Sequence, residues 1–435
     1  MSAKEVEESL KITKLTLLIS GIKMEHGKWD PLFKILFQVQ FLWIHSAIVG
    51  ELSWVVDGSQ NGKSFLELSY NIPCAMVCLL SSVKATFFFI HQDVFIEVVK
   101  KLINIHPEVD DKRVTDEKTI EDEELNDVVR RNVNESTTFL KYLIKLDLAI
   151  CSGVIVAFAL QPLPAMGYEY WKTGTYKVTF PYNVKYFFDP YSKAVWPFVY
   201  VYLVWASTIA FLNTFGTDTF FFAFCVYMRM HFRILQRRFQ DAVCEREGRQ
   251  IVEVVKRHQD VINLADQMEI LYSKSTLFSM VTSSILICLC AFNATVMTVK
   301  DMGVVISFMA FLSMLLTQIF LLCYFGDMLM KSVRNRVMMM MMMMFLSISL
   351  TQIFLLCYFG DMLMKSSTEI SDAIYNSQWY QADQRMKRNV LFVLSRSRIP
   401  CKLTASGFAD VNMELFTSIL GRSWSFFALL KTVIK

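Results

Sequence analysis

L-T-Q-I-F-L-L-C-Y-F-G-D-M-L-M-K-S occupies Leu350–Ser366 and leads directly into S-T-E-I-S-D-A-I-Y-N-S-Q-W-Y, ending at Tyr380. Taken back to Met338, the apolar run ending at Phe359 matches the roughly 20 residues that a helix needs to cross a bilayer. The polar segment after it carries Ile370 and Ile374 at helical spacing. The same seventeen residues also stand at Leu316–Ser332. Phe311–Ser332 aligns with Phe345–Ser366 at an offset of 34 residues, with two mismatches, Met314/Ile348 and Leu315/Ser349. Between the copies lie V-R-N-R-V and seven consecutive methionines, Met338–Met344. A unit that recurs once is not a solenoid period.

Outward from this block, the 435-residue chain is 54% hydrophobic and 19% charged, below the roughly 25% charge of soluble domains. Its 36 Phe and 16 Tyr make the apolar content strongly aromatic. This is the composition of a polytopic membrane protein. Residues 1–31 are polar and charged and show no signal peptide, so the first span is expected to act as its own insertion signal. Spans are expected at Leu32–Val56, Ser69–His91, Leu146–Met166, Ala194–Val226, Leu277–Val299, Gly303–Phe325 or Met338–Phe359, and Val411–Ile434. All should be helices, because open strands cannot satisfy their backbone in hydrocarbon. The fourth run exceeds a bilayer and should continue beyond it as a helix.

Lys and Arg total 27 in segments 1–31, 92–139, 227–276 and 366–408, against 6 in 57–68, 167–193 and 300–302. By the positive-inside rule the first set is cytoplasmic, which puts the N-terminus inside and, with seven spans, the C-terminus outside. A G-protein-coupled receptor has the opposite orientation. If both repeat copies spanned, the basic 366–408 segment would face outward against the charge rule, so one copy alone is expected to form the sixth span.

The cytoplasmic segments carry apolar residues at helical spacing: Phe232, Leu235, Phe239 and Val243; then Ile251, Val254, Val255, His258, Ile262 and Ala265; then Ile370, Ile374, Tyr375, Val390, Leu391 and Leu394. They predict amphipathic helices packed together below the membrane. The outer segment 167–193 is dense in aromatics and stiffened by Pro181 and Pro190. It suits either a lid over an apolar pocket or an interfacial aromatic belt.

Catalysis finds no support: there is no H-E-x-x-H, no G-x-S-x-G and no phosphate-cradling glycine loop. No cofactor, metal site or nucleic-acid surface is expected. Most of the ten cysteines lie in apolar runs, and no disulfide framework is expected. Ionisable residues inside spans are Glu51, Lys84, Lys145, Asp147 and Asp218. Lys145, Asp147 and Asp218 fall near inner span ends, and Lys84 is within snorkelling reach of the inner surface.

Six short motifs stand in order along the last quarter: C-Y-F-G-D at Cys357–Asp361 or Cys323–Asp327, I-S-D-A-I-Y-N-S-Q-W-Y at Ile370–Tyr380, K-R-N-V-L-F-V-L at Lys387–Leu394, L-T-A-S-G-F at Leu403–Phe408, M-E-L-F-T-S-I-L at Met413–Leu420 and S-F-F-A-L-L at Ser425–Leu430. F-F-D-P at Phe187–Pro190 and R-H-Q-D-V-I-N-L before the fifth span agree with them. Through these the chain resembles the insect odorant receptors, and a ligand-tuned subunit rather than the shared co-receptor, whose long insertion between spans four and five is missing. The Phe- and Met-rich interior suits a moth-type receptor. A gustatory-type receptor of the same superfamily is the nearest rival, but its T-Y-x5-Q-F type ending is lacking. A G-protein-coupled receptor is more distant, since D-R-Y and N-P-x-x-Y are missing.

The resemblance implies an all-α, seven-helix, multi-pass plasma-membrane protein of olfactory neurons. It implies a subunit of an odorant-gated cation channel, a hetero-tetramer with the co-receptor, binding a small hydrophobic odorant or pheromone in the outer half of spans two, three, four and six. In those spans the outward-half candidates are Tyr70, Cys74, Val77, Phe158, Tyr200 and Phe308, each equally able to serve as plain helix packing. By position after M-E-L-F-T-S-I-L-G, the family's pore gate falls at Leu429 and Val433, which otherwise form a lipid-facing stripe. Lys431 beside them departs from a cation pore. Tyr375, Trp379 and Tyr380 match the cytoplasmic anchor where subunits meet. The expected organisation is a cytoplasmic segment 1–31, spans one to five over 32–299, a sixth-helix region 300–366 with its near-duplicate, anchor helices 367–408 and a pore-lining helix 409–435.

Overall fold

The computed structural model describes residues 3–27, 30–63, 65, 68, 71–104, 120–160, 162–174, 178–244, 248–298, 333–377, 379–381 and 384–433. Among them the chain is helical: α1 (Ala3–Ile19), α2 (Asp30–Gln60), α3 (Ile72–Ile90), α4 (Gln92–Asn104), α5 (Ile120–Leu160), α6 (Pro162–Thr173), α7 (Trp196–Cys244), α8 (Gly248–Thr298), α9 (Val333–Tyr375), a 3-10 turn (Trp379–Gln381), α10 (Gln384–Ser397) and α11 (Met413–Val433). Three helices among the described residues, Asp30–Gln60, Ile72–Ile90 and Trp196–Phe239, are long and apolar enough to cross a bilayer. The expected third, fifth, sixth and seventh spans fall on α5, α8, α9 and α11.

Helix α7 organises the bundle. It has 49 residues and, at 1.5 Å per residue, is about 74 Å long, well beyond a hydrocarbon core. It touches α1, α2, α3, α5, α8 and α9. Every residue of F-F-F-A-F-C-V-Y-M, Phe220–Met228, is buried. A helix apolar around its whole circumference belongs at the centre of a bundle. Around it Phe95 meets Phe220 edge-on at 4.8 Å, and Phe88 meets Tyr272 at 5.2 Å. These T-shaped pairs set ring edges against ring faces.

The expected helices of the basic segments do pack together. Phe232, Leu235 and Phe239 of α7, Val254, Ile262 and Ala265 of α8, Ile370 and Ile374 of α9, and Val390 and Leu394 of α10 are all buried in one apolar cluster. Tyr375 and Leu391 are exposed, and the Val243 and Ile251 side chains lie outside the described residues. One boundary differs from expectation. Residues 1–31 are not simply a polar segment: α1 buries Leu10, Thr13 and Leu17 against α5 and α7. Charged residues on its other face mask that apolar stripe in a composition count. The third expected span is helical in α5 to Leu160 and again in α6 from Pro162, with residue 161 outside the described residues.

The second repeat copy lies inside α9, where Ile353, Leu356, Cys357, Phe359 and Leu363 are buried. The first copy lies outside the described residues. Gly360 in C-Y-F-G-D has a physical reason: a Cβ there would sit 2.2 Å from the Val411 carbonyl oxygen. That carbonyl belongs to a tight turn built by L-T-A-S-G-F. Ala405 N–H donates to the Ala409 carbonyl (2.8 Å) and Val411 N–H to the Leu403 carbonyl (2.8 Å). The Glu269 carboxylate of α8 accepts from Thr404 N–H at 2.8 Å and fixes the turn to the bundle.

His258, in the basic end of α8, is buried with its ring edge-on to Phe239 at 6.2 Å. Burial, and secondarily the Arg396 guanidinium, lowers its pKa from 6.5 to about 4. The unfolded chain therefore takes up a proton that the folded one refuses between these values. Stability from this residue is whole above pH 6.5 and falls as pH drops toward 4. The melting temperature of detergent-solubilised protein is expected to drop across this window. His258→Phe should flatten that drop; an unchanged pH profile in the variant would count against the buried neutral imidazole.

Candidate ligand site and pore helix

At the far end of α7 from the basic segments, the connection leading into α7 folds inward. Phe180, Tyr182 and Val184 form a strip buried against Ala47 of α2, Cys74 of α3, and Val199, Leu203 and Ala206 of α7. The strip is held by backbone bonds. Asn71 Nδ2 donates to the Asn183 carbonyl at 2.6 Å, and Asn183 N–H donates back to Asn71 Oδ1 at 2.9 Å. Lys185 N–H donates to the Gly50 carbonyl at 3.0 Å. Tyr182 Oη donates to the Leu203 carbonyl at 3.2 Å, and Trp196 Nε1 to the Thr179 carbonyl at 3.0 Å. Gly50 is required because a Cβ would stand 2.6 Å from the Tyr186 ring. Residues 180–184 turn into the bundle, while Trp171 and Phe187 are fully or nearly fully exposed, as interfacial aromatics are.

Of the six expected pocket residues, Cys74 is buried in this cluster, Val77 is half-buried one turn along α3, and Tyr200 is half-buried on α7. The Tyr200 ring lies tilted against Trp196 at 5.0 Å, and its hydroxyl donates to the Ala159 carbonyl, tying α7 to the end of α5. Tyr70 and Phe308 lie outside the described residues, as does the Phe158 side chain. The expectation omitted the strip itself, although Phe180, Tyr182 and Val184 stand in the segment already marked as dense in aromatics.

The charged residues resolve differently from expectation. Lys84 of α3 does not reach for the surface. Its Nζ donates to Asp218 of α7 at 2.7 and 3.0 Å, with the two side chains 5% and 6% exposed. Glu51 of α2 is fully buried, and neither carboxyl oxygen has a hydrogen-bond partner among the described residues.

Helix α11 starts with Asn412 Oδ1 accepting from Leu415 N–H at 2.9 Å, a side-chain N-cap. One face buries Ile419, Ser423 and Phe427, with Ile419 packed on Met280 of α8 and on Ile353 and Cys357 of α9. Leu429, 60% exposed, is off that face, together with exposed Gly421 and Ser425. The Val433 side chain lies outside the described residues. Of the three residues expected to form the anchor, Trp379 packs on the main core, while Tyr375 and Tyr380 are exposed.

Comparisons with known proteins agree with this architecture. The family model described as 7tm Odorant receptor matches residues 64–335 and 332–423, breaking between the two repeat copies. The chain is 21% identical to odorant receptor 67c of Drosophila melanogaster over 419 residues, covering 94% of this chain and 91% of that one. It is 26% identical to odorant receptor 85b of the same fly over 222 residues, half of this chain and 48% of the relative. In fold it is similar to the insect olfactory receptor OR5 of Machilis hrabei, solved in complex with eugenol, with a TM-score of 0.73 at 15% identity over 99% of this chain and 98% of that one. The chain is a non-enzymatic, multi-pass membrane protein that belongs to the insect 7tm odorant receptor family.

Proposed function

We propose that this protein is the ligand-tuned subunit of an odorant-gated cation channel in the plasma membrane, completed as a hetero-tetramer by the family's shared co-receptor. The N-terminus is cytoplasmic and the C-terminus extracellular, in line with the 27-to-6 division of Lys and Arg between alternate connections. The ligand is a small hydrophobic odorant or pheromone of the kind a moth-type receptor binds. It is held by Tyr70, Cys74, Val77, Phe158, Tyr200 and Phe308. Leu429 and Val433 close the pore, and Tyr375, Trp379 and Tyr380 sit at the subunit contact. The observation that carries this reading is the strip Phe180–Val184, docked on an apolar cluster of α2, α3 and α7. Such a site gains affinity from apolar burial, with a few polar groups setting orientation. A ligand gates only through its different affinity for closed and open states. Recording from cells that express the chain with the co-receptor tests it: odorant-evoked cation current is expected. Surface expression without current across a broad odorant panel would sink the reading.

A further inference from the structure

Glu51 of α2 is a buried acid that no group among the described residues answers. It is fully buried, with both carboxyl oxygens unpartnered among the described residues. The residue before it, Gly50, faces the inward strip so closely that a Cβ there would stand 2.6 Å from the Tyr186 ring. The strip is pinned next to it by the Lys185 amide on the Gly50 carbonyl. The nearby Lys185 ammonium is engaged by Asp57 on the same helix and leaves Glu51 alone. Buried polar groups without partners are rare because each forfeits its hydration. A carboxyl retains at least one accepting oxygen whether or not it carries a proton. We propose that Glu51 is a specificity-determining residue that accepts a hydrogen bond from a hydroxyl-bearing, otherwise apolar ligand. This rests on the channel reading above.

The test compares a straight-chain primary alcohol with its methyl ether, which has the same apolar body and no donor, on cells expressing the full chain with the co-receptor. The unaltered receptor should prefer the alcohol. Glu51→Leu should raise the half-maximal alcohol concentration about tenfold, the value of one hydrogen bond, and leave the ether response in place. Glu51→Gln, which keeps an accepting oxygen, should retain most of the alcohol preference. The ether current shows that the variants fold. No preference for the alcohol in the unaltered receptor, or an equal shift for both ligands in Glu51→Leu, overturns the assignment of Glu51 while leaving the channel reading intact. No current from either ligand or from a broad odorant panel overturns both.

Discussion

Lys84→Met is expected to strip the receptor from the cell surface, and pairing it with Asp218→Leu is expected to bring the receptor back. The Lys84 ammonium and Asp218 carboxylate meet at 2.7 Å between α3 and α7 with almost no access to water. Their surroundings are the aromatic core, with the Tyr272 hydroxyl donating to the neighbouring Thr217 carbonyl at 2.5 Å. Removing one partner of such a pair leaves a charge with neither water nor counter-ion, at a cost of about 3–5 kcal/mol. That is a large share of the stability of a folded protein. Replacing both by apolar residues of similar volume is often neutral, because the desolvation of two charges disappears with their attraction. Surface biotinylation and thermal melting of the two single variants and the double variant form a closed cycle. Single variants that reach the surface at normal levels, or a double variant worse than either, would show that the two charges do not depend on each other.

Excising residues 333–366 is expected to leave a receptor that folds and reaches the surface. Loss of 34 residues from the middle of a core helix ordinarily destroys a protein. Here the excision joins Ser332 to Ser367, so the first copy runs straight into S-T-E-I-S-D. The side chains that pack α9, Ile353, Leu356, Cys357, Phe359 and Leu363, recur as Ile319, Leu322, Cys323, Phe325 and Leu329. Excising 311–344 instead yields a chain that differs from it at two positions only, those of the Met314/Ile348 and Leu315/Ser349 mismatches. The two excised forms should melt alike and give the same odorant currents with the co-receptor. Absence of both from the surface would show that the intact chain needs both copies.

In the intact chain the two copies are equal in packing side chains, and the residues just beyond each copy decide between them. After the second copy come Ser367, whose Oγ accepts from Cys401 N–H at 2.9 Å, and Ile370 and Ile374, both completely buried. The corresponding positions after the first copy are Val333, Arg336 and Met340. Valine cannot accept that hydrogen bond. A guanidinium in the place of Ile370 would be desolvated in an apolar cluster at a cost of several kcal/mol. The spacing of the repeat alone could not make this choice, because both copies carry the same packing residues.

Much of the fold was legible in the chain. Apolar runs of bilayer length located the helices, and the over-long fourth run foretold that α7 continues past the membrane. Apolar residues at three- and four-residue spacing in the basic segments marked faces that do pack together. The inward strip and α1 were less legible for opposite reasons. Phe180, Tyr182 and Val184 were lost among aromatics that suit an interface equally well. The buried side of α1 was hidden by the charged residues that share its circumference. The candidate site was legible only in part: Cys74 could be placed from its position in a span, but its neighbours Phe180 and Tyr182 are more than a hundred residues away.

By itself the sequence determined the helical membrane character, the division of charge between the two sides and the family, because these depend on composition, period and local motif. Only the tertiary structure decided that Lys84 finds Asp218, that Glu51 finds no partner among the described residues, and that the second copy fills the place between α7 and α8. Each depends on which residues, distant along the chain, share a low-dielectric interior. There a charge must be paired or pay its full desolvation, and neither hydropathy nor spacing records who stands opposite.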